Sequence, residues 1–178
     1  MLSIGIDPGV SGAVALLGDG GMILSIHDAP TIHVKIGKKN RAQYVETQML
    51  TLLRAAKNAG TVQAFIENIH SMPGQGVTSM FSMGFGFGLW IMALTALEIP
   101  YTRVEPARWK KDLGIVAKAD KAASVVRALQ LFPRCVDLKR EYKRNGQVLE
   151  TYLDGRADAL LIAEWGRRLA VRGSARSL

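Results

Sequence analysis

Within its first thirty residues the chain carries three short apolar runs, LSIGID (2–7), AVALL (13–17) and MILSIHDA (22–29). Between them stand Pro8-Gly9 with Ser11-Gly12, and then Gly18-Asp19-Gly20-Gly21, sequences that reverse a chain tightly. Strands this short, joined this closely, predict an antiparallel meander. The hydrophobic period then lengthens. From Ala42 to Ala59, apolar residues fall at Val45, Met49, Leu52, Leu53 and Ala56, the stripe of an amphipathic helix that Gly60 stops. VQAFIEN (62–68) predicts a buried strand ending at Glu67. An apolar helix follows near 82–97, then a short strand from Tyr101 to Val104, a short helix from Pro106 to about Leu113, and another from about Asp120 to Phe132. Residues 134–152, polar, basic and without period, predict a mobile loop. The last helix runs from about Leu153 to Val171, with Ala157, Leu160, Leu161, Trp165 and Leu169 turned inward. A meander followed by alternating strands and helices predicts an α/β fold: one mixed five-stranded sheet, three strands antiparallel and two parallel, flanked by helices. With no repeat or linker, residues 1–178 read as a single domain.

Charge narrows the partners. The formal net charge is +8, and residues 101–150 hold twelve Lys or Arg against six Asp or Glu. Lys35, Lys38, Lys39 and Arg41 form a second basic stretch without an acid. Clustered positive charge favours a polyanion, because each neutralised phosphate releases condensed counterions. Cys135 is the only cysteine, which excludes an internal disulfide and a thiolate metal cluster and fits a reducing, cytoplasmic setting. The N-terminus reaches Asp7 without a basic leader, unlike a signal peptide. The uncharged run Phe81–Leu97 falls just short of a membrane span and is broken by Gly84, Gly86 and Gly88, so a helix packed closely on the sheet is expected, and no membrane partner. No P-loop lysine follows those glycines and no dinucleotide fingerprint frames them, so no nucleotide cofactor is expected.

The chemistry belongs where strand ends carry acids. Asp7 closes the first strand and Glu67 the fourth; if those strands are parallel neighbours, both carboxylates converge at one edge. Asp154 and Asp158, four apart at the start of the last helix, share a face. Asp7 also suits an Asp-Pro-Gly turn, and Asp154 a helix cap. Asp158 beside Leu161 and Ile162, and Glu67 after Ala64-Phe65-Ile66, are costly near a core unless something compensates them, as a divalent cation would.

These segments carry a family resemblance. IGIDPGVSGAVALL resembles the first hairpin of the RuvC-like Holliday junction resolvases, and AFIENIH their second acidic strand. PARWKKDLGIVAKADKAA is similar to their segment of basic helix, Gly turn and acid-Lys helix start. DGRADALLIAEWGRR resembles their C-terminal acidic helix, most of all in the phage and organellar branch, which also shares the Phe132-Pro133 helix end. The resemblance implies an RNase H-like nuclease domain, a homodimer, a phage or bacterial setting in DNA recombination and repair, and magnesium-dependent, paired symmetric nicking of four-way DNA junctions. It implies Asp7, Glu67, Asp154 and Asp158 as catalytic and metal-binding acids. Here Gly155 stands where the bacterial pattern has the third acid, and Asp154 lies one residue before it. Carboxylate oxygens select hard cations, Mg²⁺ or Mn²⁺ in its place. Two such ions about 3.5–4 Å apart would bind the scissile phosphate, leaving 5′ phosphate and 3′ hydroxyl ends. Lys110, Lys111 and Lys121 match or adjoin basic family positions expected to hold phosphates. His70 falls where the bacterial family has an aromatic that stacks on an unpaired base; it is equally readable as an ordinary loop histidine, with Phe81 or Met72 as other wedges. Lys139, Arg140, Lys143 and Arg144 are expected to track the DNA backbone, while Trp109 and Trp165 belong to the core. The helix near 82–97, with its glycine run, would help form the dimer.

Other readings stay open: a less selective nuclease for forks and flaps, a junction-binding scaffold with a degenerate site, or an enzyme for RNA–DNA hybrids. An actin-like ATPase shares the strand-one acid and turn, but its duplicated domain needs about twice this length.

Overall fold

The computed structural model describes residues 1–37, 39–71, 74–116, 122–135, 137–144 and 146–174. Five strands, β1 (Leu2–Asp7), β2 (Ala13–Leu17), β3 (Ile23–Asp28), β6 (Val62–Glu67) and β7 (Tyr101–Val104), form one sheet in the order β3-β2-β1-β6-β7. β1 pairs antiparallel with β2 and parallel with β6, β2 pairs antiparallel with β3, and β6 pairs parallel with β7. The mixed sheet expected from the hydrophobic pattern is the sheet found.

Strand pleating divides the core in two. Ile4 and Ile6 of β1, with Val14, Leu16, Ala64 and Ile66, face the helices α1 (Glu46–Asn58) and α2 (Val77–Ala96). The alternate residues face α5 (Asp154–Ser174), which crosses β1, β2 and β6. There Ala13, Ala15, Leu17 and Phe65 pack with α3 (Pro106–Asp112), α4 (Ala122–Leu131) and Trp165 of α5. Phe65 meets Trp165 edge to face, centroids 6.0 Å apart. Trp109 and Trp165 are both core residues, as expected. Gly5 lets α5 approach β1: a Cβ there would stand 2.0 Å from the Ala159 carbonyl oxygen and 2.4 Å from the Ala163 nitrogen. Ser3 completes this contact, its hydroxyl donating to the Ala163 carbonyl at 2.7 Å.

Two hairpins depart from the sequence expectation. β4 (Thr31–Ile36) and β5 (Lys39–Tyr44) form a separate antiparallel pair, so the helix expected from Ala42 begins only at Glu46. The periodic stripe was diluted there because Tyr44, read as helix, closes a strand and buries itself against α2. Residues 139–152, expected to be loop, form a second pair, β8 (Lys139–Arg144) and β9 (Gln147–Tyr152). Most of its described side chains are exposed, so it carries no apolar alternation for a reader to find.

The close packing expected of the glycine-bearing helix is made at Gly86. A Cβ at Gly86 would meet the Tyr44 hydroxyl at 2.3 Å and its ring at 2.4 Å, whereas Gly84 and Gly88 face open space. By length and composition α2 could cross a membrane. One side of it, with Trp90, Ala93 and Leu94, is nevertheless buried on the sheet, while Val77, Phe81, Phe85 and Met92 are exposed. The helix expected from about Asp120 is described only from Ala122.

Candidate active site

Register alone brings the first two acids together. Ile6 pairs with Ile66 across the parallel β1–β6 ladder, so Asp7 and Glu67 stand one step further on adjacent strands, at the same C-terminal edge. Both fall in the alternation that faces α5, as Gly5 and Phe65 do. The first turns of α5 lie over this edge. A Cβ at Gly155 would sit 2.3 Å from the Ser11 carbonyl oxygen and 3.2 Å from Asp7 Oδ2. This contact explains the shifted acid: no side chain fits at 155, and the carboxylates stand at Asp154 and Asp158 instead, on either side of the close approach.

The electrostatics are those of crowded anions. Burial, and then the charges of Glu67 and Asp158, push the Asp7 carboxyl up to about 7, against a backbone hydrogen bond from Gly9. Burial, and then Asp158, push Glu67 up, while the Trp109 indole and Lys110 draw it down. Burial raises Asp158 too, opposed by a Ser124 hydrogen bond and by Lys110. Asp158 Oδ1 is buried without a hydrogen-bond partner. Asp154 is exposed and peripheral, its charge the last contributor at both Asp7 and Asp158; its Oδ1 accepts the Gly155 N–H at 3.1 Å. Among the described residues no three such groups close to chelating distance around one point. Like charges in a low-dielectric pocket hold one another apart, and a cation supplies the missing attraction. All-oxygen donors, one buried oxygen without a partner, and three acids held above their ordinary values fit a hard divalent ion.

Asp7 also keeps its plainer role. Its Oδ1 accepts the Gly9 N–H at 3.2 Å and shapes the Asp-Pro-Gly turn. That turn is braced by Tyr44, whose hydroxyl donates to the Pro8 carbonyl at 2.8 Å. Burial, and then the nearby Asp7 charge, push the Tyr44 phenol up to about 12. Tyr44 was missed from sequence because it looked like a helix residue. Trp109 was assigned to packing alone, yet its indole N–H donates to Glu67 Oε1 at 3.0 Å. A fully buried tryptophan must place its one donor, and that requirement was the signal available.

The basic candidates divide. Lys110 is close enough to Glu67 and Asp158 to steady both charges, with its ammonium 5.0 Å from the Trp109 ring centroid. Lys111 is exposed on the same helix. Lys121 and Met72 lie outside the described residues, as do the side chains of Lys143 and Arg144 on β8. Lys139 pairs with Glu150 at 3.2 Å and Arg140 with Asp28 at 3.0 Å. His70 is exposed and hydrogen-bonded to Glu105 (Nε2 to Oε2, 3.0 Å), beside Asn68, which donates to Glu105 Oε1 at 2.7 Å. It borders a cleft of about 200 Å³ with Ile69, Met80, Met83 and Phe87. Phe81 is exposed and stacked on Phe85, centroids 6.5 Å apart.

The β3-β2-β1-β6-β7 sheet with a helix crossing one face is the fold of solved RuvC structures. Thermus thermophilus RuvC matches with a TM-score of 0.54 at 16% identity, covering 97% of each chain. The structure of T. thermophilus RuvC in complex with Holliday junction substrate matches at 0.56 and 15%, covering 97% of this chain and 96% of that one. In sequence, the chain is 33% identical over 101 residues to a chloroplastic protein of Chlamydomonas reinhardtii, the Holliday junction resolvase MOC1. The aligned stretch is 57% of this chain but 10% of that protein. No family model matches the chain.

Proposed function

We propose that this protein is a divalent-metal-dependent endonuclease that resolves four-way DNA junctions by paired nicks. The observation that carries the proposal is the convergence of Asp7, Glu67 and Asp158, from three separate elements, at one buried edge of the sheet where burial first, and then neighbouring acids, hold all three carboxyls above their ordinary values. Such an arrangement stores unfavourable charge that a folded protein has no structural reason to keep. The similarity to a protein named as a Holliday junction resolvase, and to a RuvC solved with its junction, supports the choice of substrate. A less selective enzyme for forks and flaps has no observation in its favour; side-by-side cleavage of a junction, a fork and linear duplex separates the two.

Asp7, Glu67, Asp154 and Asp158 would hold two Mg²⁺ ions, with Mn²⁺ able to replace them. When bound, divalent cations supply Lewis acidity to the scissile phosphodiester. The protein's own groups do the rest. Trp109 fixes the rotamer of Glu67, Lys110 offers a positive charge to a phosphate at the rim, and Tyr44 holds the loop that aims Asp7. Lys111, Lys121, Lys143 and Arg144 add phosphate contacts, and His70 stacks at the branch point. Trp109→Phe keeps an aromatic ring in the core, though a smaller one, and deletes the donor to Glu67. A hydrogen bond to a charged group is worth roughly 1.5–3 kcal/mol, so junction cleavage should fall by about tenfold or more while junction affinity holds; an unchanged rate removes Trp109 from the site.

A junction with two-fold symmetry suits a two-fold enzyme. The exposed Val77, Phe81, Phe85 and Met92 of α2 offer an apolar surface for a homodimer. Phe85→Glu should therefore convert dimer to monomer in light scattering, and a variant that keeps wild-type mass moves the interface elsewhere. The compartment we assign is a reducing one that holds DNA, in a bacterial or phage-infected cell; the Chlamydomonas relative is chloroplastic.

A further inference from the structure

We infer that Asp28 is a positioning residue that locks the β8–β9 hairpin onto the catalytic helix, so that DNA lying along the hairpin reaches the carboxylates in a single register. This rests on the nuclease reading above.

Asp28 is the last residue of β3, at the edge of the sheet. It pairs with Ala13, which pairs in turn with Asp7, so Asp28 and Asp7 share one transverse row of the sheet two strands apart. Its Oδ1 accepts Arg156 Nε at 2.6 Å and its Oδ2 accepts Arg156 Nη2 at 3.0 Å, a bidentate fork. Arg156 lies in the first turn of α5, between Asp154 and Asp158. The same Oδ2 accepts Arg140 Nη2 from β8 at 3.0 Å. Arg156 Nη1 also donates to the Asp137 carbonyl at 3.0 Å, just before the hairpin. One carboxylate therefore ties the hairpin's base, the catalytic helix and the row of the sheet that ends at Asp7.

The tie matters because the hairpin has no ladder to the main sheet. A two-stranded hairpin alone is marginally stable, and its direction is set by what grips its base. Here the grips are the buried Leu138, the Leu153 N–H bond to the Leu138 carbonyl, and the Asp28 node. Arg156 is held by Asp28 and the Asp137 carbonyl, whereas Arg140 gives one N–H to Asp28 and, 56% exposed, keeps other donors for a phosphate. Among described side chains of the hairpin, Val148 and Tyr152 are exposed on the face that carries Lys139, and Tyr142 is exposed on the face that carries Arg140; each could meet sugar or base faces.

The test compares wild type with Asp28→Asn, Asp28→Glu and Arg140→Gln on a four-way junction with Mg²⁺, mapping nicks by nucleotide and measuring affinity and amide exchange. Asp28→Asn should speed exchange across 139–152 and spread nicks over neighbouring phosphodiesters. It should slow the principal nick by about tenfold to a hundredfold, the cost of a misplacement near 1 Å, with junction affinity within about twofold. Asp28→Glu should restore the nick position, and Arg140→Gln should reproduce the spread more weakly, which serves if Asp28→Asn folds poorly. A wild-type nick map in both Asp28→Asn and Arg140→Gln overturns the inference and leaves the nuclease reading intact. Failure of the wild type itself to cut overturns both.

Discussion

Asp7→Asn should abolish junction cleavage and, in the same preparation, melt higher than wild type. The first effect follows from removing a carboxylate that would hold the metal ions; losing the charge stabilisation that bound cations supply is worth about a thousandfold. The second follows from proton linkage. The carboxyl sits near 7 in the folded protein and near its ordinary value of 3.8 when unfolded. Between those values the folded state retains a proton that the unfolded chain has released, so metal-free stability falls as pH rises from about 4 to about 7 and stays low above it. Each pKa unit corresponds to about 1.36 kcal/mol, which sets an upper bound of roughly 4 kcal/mol. For a chain of this size the melting temperature in EDTA at pH 8 should rise by up to about 10 °C in the variant. Asparagine keeps an acceptor for the Gly9 N–H, so the turn survives. Added Mg²⁺ should stabilise wild type and leave Asp7→Asn unmoved. A variant that melts at or below wild type under these conditions refutes the stored-repulsion account.

Gly5→Ala should be among the most damaging glycine-to-alanine changes at the described residues. Its Cβ would stand 2.0 Å from a backbone oxygen and 2.4 Å from a backbone nitrogen of α5, neither of which can rotate away. Relief requires lifting the helix from the sheet, which would undo the Ser3 bond to Ala163 and disturb the packing of Leu160, Ala163 and Phe65. Overpacking costs about 1–3 kcal/mol where side chains can give, and more against backbone. We expect about 4 kcal/mol or more, a large share of a domain's whole stability. Denaturant unfolding measures it; a midpoint equal to wild type would mean that α5 does not lie against β1 as described.

The sheet and its acids were legible because both rest on period and position. Apolar runs at 2–7, 13–17 and 62–68, set between turn signals, marked the strands, and acids at strand ends needed only parallel pairing of β1 and β6 to meet. The two hairpins were hidden for a physical reason. β8–β9 buries almost nothing, so it offered no apolar alternation, and β5 ends in Tyr44, whose partner Gly86 is 42 residues away in a different element. Trp109 and Asp28 were illegible in their roles for a related reason: each acts through one hydrogen-bonding group whose partner is set by tertiary packing. Composition shows that a buried indole needs an acceptor, but only the fold says that the acceptor is Glu67.

The most direct measurement of the central claim is incubation of wild-type protein with a mobile-core four-way junction and Mg²⁺, both strands mapped at nucleotide resolution. Our account predicts paired nicks at symmetric positions in opposing strands, lost with EDTA and restored by Mn²⁺, with junction binding unaffected by the chelator. A protein that binds the junction and leaves it intact at every divalent concentration, or cuts it undiminished in EDTA, would contradict the account.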